Sequence, residues 1–141
     1  MLREGLGKTL FRAMRATPEG RPACAPTGRT LGVRPHIDIP VDASGFVHPG
    51  TGGLSVAPEP PTNLPGHRRP PEYDGTGKEP VWGIQEGALG PYLRYVPDAV
   101  PTPRHGVIEP VVSMTFEAYQ RALEGTAPYW TRYEVWTSRV K

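Results

Sequence analysis

Gly45-Phe46-Val47-His48-Pro49-Gly50-Thr51-Gly52-Gly53-Leu54-Ser55-Val56 is the stretch on which the reading of this chain turns. Gly50, Thr51, Gly52 and Gly53 put three glycines and a threonine in four positions, so the backbone there can come close to almost any partner. Phe46-Val47 and Leu54-Ser55-Val56 read as strand, turn, strand, with His48-Pro49-Gly50 and Gly52-Gly53 supplying the turns. Ser55 places a single hydroxyl inside the second strand.

Upstream, residues 9–15 have the length and apolar content of a first strand, although periodicity alone does not separate it from a helix. Arg12 interrupts that strand in Leu10-Phe11-Arg12-Ala13-Met14. An arginine there must face solvent or meet an anion, because burying it unpaired is costly. Residues 18–28 read as loop, and 31–41 as short extended pieces interrupted by prolines. Downstream, the proline-rich residues 57–80 form a long surface excursion, of a length that usually carries function or stays unstructured.

Residues 81–84 predict a short apolar strand, 85–89 one helical turn, 93–96 an edge strand and 106–112 a strand bent at Pro110. The clearest helix follows Thr115, a good N-cap. Glu117 in its first turn suits the helix dipole, and Phe116, Tyr119, Ala122 and Leu123 form its apolar face. Glu117 and Arg121 pair at i,i+4, Met114 packs on Tyr119 as a staple, and Gly125 closes the helix as its C′ residue. Trp130, Tyr133, Val135 and Trp136 predict a final stretch docked on the body.

The chain has 141 residues, enough for one domain spanning 1–141 with a core of its own. Its 19 prolines and 17 glycines argue for short strands and rigid turns, while three tryptophans and six tyrosines argue against wholesale disorder. The expected class is α+β with long Pro/Gly-rich loops. Residues 1–36 carry seven basic against two acidic side chains, a net +5, where the whole chain has +2. That asymmetry suits a polyanionic ligand and equally a solvated basic surface. A basic amphipathic helix over residues 1–16 is weakened by Gly5 and Gly7.

Cys24 stands alone, which excludes an internal disulfide, and no acid–base partner is near it in sequence. His36, His48, His67 and His105 have no metal-ligand spacing, so no metal site is expected. Gly5-Leu6-Gly7-Lys8-Thr9 lacks the first glycine of a phosphate-binding loop, and Pro80 prevents the helix that Gly75-Thr76-Gly77-Lys78 would need. No apolar run is long enough to cross a membrane, and no secretory apolar stretch stands at the N-terminus. The expected location is therefore the cytoplasm.

The combination left standing is Arg12, Ser55 and the segment His105-Gly106-Val107-Ile108-Glu109-Pro110. With Thr9-Leu10-Phe11-Arg12-Ala13, residues 42–56, and Met114 and Tyr119 further on, the chain resembles the ADP-ribosyltransferase-fold toxins of the type VI secretion exported effector 2 family. The resemblance implies a small split β-sheet core with NAD held between two sheets. It implies that Arg12 anchors the dinucleotide and that Ala13, Thr51, Gly52, Gly53 and Leu54 help to bind it. Ser55 would shape the nicotinamide pocket. Leu54 stands where the family can have a hydroxyl residue. A carboxylate of the third segment, Glu109, would stabilise the ribosyl cation, with His105 beside it in the catalytic group. Breaking the nicotinamide–ribose bond builds positive charge on the ribose, as glycoside hydrolysis does, and a carboxylate stabilises such charge.

The function implied is an intracellular toxin that transfers ADP-ribose to a macromolecule or cleaves NAD, with a cognate immunity or antitoxin protein as partner. Two other readings stay open. One is a toxin ribonuclease using His105 and Glu109 as acid and base, and the other is a non-catalytic binding module on the same fold.

Overall fold

A computed structural model of the chain describes residues 7–133. Five strands of five residues each make most of its main sheet: β1 (Thr9–Ala13), β3 (Leu54–Pro58), β4 (Val81–Gln85), β5 (Leu93–Pro97) and β6 (Gly106–Pro110). A short β8 (Thr131–Arg132) completes an antiparallel sheet of order β5-β6-β3-β1-β4-β8. A second, two-stranded sheet pairs β2 (Phe46–Val47) with β7 (Met114–Thr115). One helix, α1 (Phe116–Glu124), and short 3-10 turns complete the described fold. The mixed character fits the α+β expectation.

β1 lies at the centre of the sheet, which is why four of its five residues are buried on whichever face they point to. Leu10 joins the larger core with Leu54, Val56, Ile84 and Ile108, closed over by Tyr119 and Leu123 of α1 and by Leu31, Val33 and Ile39. Phe11 points the other way, to a smaller cluster with Ala57, Leu64 and Val81, and meets Tyr133 edge to face at 5.0 Å. Alternation places Arg12 on the face of Leu10, toward the larger core.

The helix begins as its sequence requires: Thr115 Oγ1 accepts from the Ala118 amide at 3.1 Å. Gly125 ends it in right-handed conformation at φ −64°, not in the left-handed form expected of a C′ glycine. Trp130 is buried, as expected of the final stretch; Val135 and Trp136 lie outside the described residues. The strand, turn, strand expected over 46–56 forms as β2 and β3, although the two do not pair with each other. Thr51 Oγ1 folds back on the His48 carbonyl at 2.7 Å, and the Gly53 amide donates to Asp38 O at 3.0 Å. The chain therefore turns away, and β2 pairs with β7 instead of β3.

β1 and β3 share only two register pairs, Leu10 with Pro58 and Phe11 with Ala57. From Arg12 onward β1 pairs with β4 alone, and residues 54–56 of β3 pair with β6. The sheet is thus parted between its two central strands. Among the described residues, no helix is long and apolar enough to cross a membrane.

Candidate functional site

A cavity of about 600 Å³ opens where β1 and β3 part, lined by Arg12, Ala13, Ser55, Val56 and Ala57 of the strands. Two loop segments wall it, one carrying Gly28, Arg34 and Asp38, the other carrying residues 63–65 and 67–69, and Arg104 and His105 close one side. Among the described residues, five arginines and two histidines line it against one carboxylate, Asp38. That carboxylate is gripped by Arg34, whose Nε and Nη2 donate to its two oxygens at 3.1 and 2.9 Å. Burial tends to raise the Asp38 carboxyl, but the Arg34 hydrogen bonds win and hold it below its ordinary value. The cavity is left with a strong excess of positive charge, the setting in which an anion gains most.

The arginines differ in what holds them. Arg69 donates to the carbonyls of Leu64 and Tyr73 at 2.9 and 3.0 Å and so braces its own loop. Arg104 Nε donates to Asn63 Oδ1 at 3.2 Å. The Arg68 guanidinium makes no hydrogen bond or ion pair with another described residue.

Arg12 is only 7% exposed, and carbonyls hold it rather than carboxylates. Nη1 donates to Ser55 O at 2.9 Å, and Nε and Nη2 share Thr30 O at 3.2 and 2.9 Å. Nη2 also reaches Gly32 O at 3.3 Å and Thr27 O at 3.4 Å. Burial pushes its pKa down to about 10, with Asp38 opposing and Arg68 and Arg34 assisting, so it stays charged at neutral pH. The expectation that Arg12 must meet an anion or solvent is therefore amended. Carbonyl dipoles already solvate most of it, and Nη1 uses one of its two protons in the hydrogen bonds described.

Ser55 and His105, fifty residues apart, meet at this cavity: His105 Nε2 lies 3.3 Å from Ser55 Oγ. Alternation along β3 turns Leu54 and Val56 into the core and Ser55 outward, which brings its hydroxyl to the imidazole. The other ring nitrogen, Nδ1, lies 3.1 Å from both oxygens of Asp98.

The remaining expected residues do not gather here, Ala13 excepted. Glu109 is a buried partner of Arg94: its Oε2 accepts from Arg94 Nε and Nη2 at 2.8 Å each, and its Oε1 accepts from the Gly50 amide at 2.8 Å. It has the opposite charge to Arg94, which stands directly across the β5–β6 ladder, and does not line the cavity. Thr51 holds its own turn, and Leu54 is fully buried core whose amide donates to Tyr119 Oη at 3.2 Å. Gly52 and Gly53 do serve close approach, but to the chain itself: a Cβ would lie 2.4 Å from Asp38 O at the first and from Ile108 O at the second.

Comparison with protein-family models, with curated proteins and with solved structures gives no match, so the site rests on its own geometry. Sequence reasoning missed Asp98, Arg68 and Arg104, which lie on loops without period. Arg94 had a signal: once β5 and β6 are drawn as neighbours, opposite charges at 94 and 109 face each other.

Proposed function

We propose that this chain is an NAD-consuming toxin domain whose cavity binds NAD and transfers its ADP-ribose to a macromolecular target, or to water. In this reading it acts in the cytoplasm of the producing or receiving cell and is neutralised by a cognate immunity protein. The observation that carries the reading is Arg12, a buried cation set where the sheet parts, in a cavity whose charge is overwhelmingly positive. A volume of about 600 Å³ is within the usual range for small-molecule sites. Arg12, Arg68 and Arg104 would hold the diphosphate, and Ser55 and His105 would flank the ribose that loses nicotinamide. Glu109 is committed to Arg94 and Gly50, so the proposal gives it no part in the chemistry.

Calorimetry with NAD tests the reading directly. Arg68→Ala should weaken binding about tenfold, or about 1.4 kcal/mol, because its charge has no other described partner to lose. Induced expression in bacteria should arrest growth as NAD falls. Absence of NAD binding, with normal growth at verified soluble expression, sinks the proposal. The ribonuclease reading loses Glu109 as the partner of His105 and would need His67, which lines the same cationic cavity, in its place. Loss of RNA integrity at constant NAD would favour it.

A further inference from the structure

We infer that Asp98, His105 and Ser55 form one proton relay, in which Asp98 is a positioning residue that fixes the His105 tautomer and the group accepting ADP-ribose is a hydroxyl. This rests on the proposed NAD chemistry and adds to it a base, its orienter and an acceptor class.

The geometry starts in the backbone. β5 and β6 end their ladder at Pro97 and Gly106, and the Asp98 amide donates to the His105 carbonyl at 3.0 Å. Residues 98 and 105 are thus held opposite each other at the mouth of the 99–104 loop, and their side chains meet. An ionised carboxylate can only accept hydrogen bonds, so Asp98, 3.1 Å from Nδ1 with both oxygens, requires the proton on Nδ1. Nε2 of the neutral ring is then an acceptor, and Ser55 Oγ, 3.3 Å away, is its donor. Carboxylate, imidazole and hydroxyl in that order are the parts of a nucleophile-activating chain, recognised by roles and geometry whatever the fold.

The carboxylate that lines the cavity, Asp38, does not compete for the role, because Arg34 occupies both its oxygens. The step balances as follows. The acceptor oxygen forms a bond to C1′ of the nicotinamide-bearing ribose as the C1′–N bond breaks, and nicotinamide leaves neutral with the electron pair. The acceptor proton passes to Ser55 Oγ, whose own proton passes to His105 Nε2. Asp98 stabilises the imidazolium so formed. A neutral imidazole suits water or an alcohol as the acceptor.

Two measurements on the full chain test the relay. Ring 15N NMR of His105 should show the proton on Nδ1 in the parent, and the ordinary Nε2–H form should prevail in Asp98→Ala. Nicotinamide release should fall at least tenfold in kcat for Asp98→Ala with KM within about twofold, and Asp98→Glu should recover part of it. Free ADP-ribose matching nicotinamide mole for mole identifies water as the acceptor. ADP-ribose retained on macromolecules and located by mass spectrometry on a hydroxyl oxygen identifies an alcohol. Either supports the proposal, whereas ADP-ribose located on a carboxylate, a nitrogen or a sulfur overturns the hydroxyl acceptor. A His105 tautomer with the proton on Nε2 in the parent, or unchanged kcat in Asp98→Ala, overturns the relay even if NAD binds. Failure of NAD to bind overturns the function instead, and the NMR arm still decides the coupling of the three side chains.

Discussion

Arg12→Lys keeps the charge and loses the geometry. The guanidinium meets carbonyls from Thr27, Thr30, Gly32 and Ser55 at once, a fork that a single ammonium does not reproduce. Both Arg12→Lys and Arg12→Ala should therefore lower stability, the alanine by at least about 2 kcal/mol through buried carbonyls left without donors. Urea unfolding measures this directly. Unchanged stability in both variants would instead mark Arg12 as a purely ligand-facing arginine. Glu109→Gln belongs at the same scale. With 4% side-chain exposure against 53% for Arg94, Glu109 is the desolvated member of a half-exposed pair. Its loss should cost about 1–3 kcal/mol and leave NAD affinity in the parent range, seen by unfolding and calorimetry together.

At the scale of elements, Gly53 is where β3 begins under pressure. A Cβ there would stand 2.4 Å from the Ile108 carbonyl, the same oxygen that accepts from Tyr119 Oη at 2.5 Å. Gly53→Val should displace β3 from β6 and lower the melting temperature by about 7 °C, from roughly 2 kcal/mol of strain. A variant melting with the parent would remove this contact from the account. Much of this element level was legible in the sequence. Residues 9–15, 81–84, 93–96 and 106–112 announced β1, β4, β5 and β6 through short apolar runs, and Thr115 announced α1. The partnership of β2 with β7 was not legible, because strands of two residues carry no period and their register is set by long-range packing. The site divides the same way. Arg12, Ser55 and His105 stood out as chemical residues in apolar surroundings, while Asp98 and Arg68 reach the site only through loops that pattern does not describe.

At the scale of the whole molecule, two carboxyls among the described residues are held below their ordinary value, Asp38 through Arg34 against the opposing effect of burial, and Asp42 through the Phe46 amide and then His48. A lowered folded value means that their stabilisation is present above the ordinary 3.8 and is lost as pH falls through the lowered value. The stability difference between the parent and Asp38→Asn should accordingly shrink between about pH 6 and about pH 3, measured by urea midpoints. A gap that stays constant over that window would assign Asp38 another role. The parted sheet has a further consequence. Among the described residues, β5-β6-β3 and β1-β4-β8 are coupled along their backbones by two register pairs and by the Glu59 amide donating to Thr9 O at 3.1 Å, and the Arg12–Ser55 hydrogen bond is a side-chain rung across the gap. Amides of the two halves should therefore exchange with solvent deuterium as two cooperative blocks with separate opening free energies. Arg12→Ala should widen the difference between them, because it removes the side-chain rung across the gap.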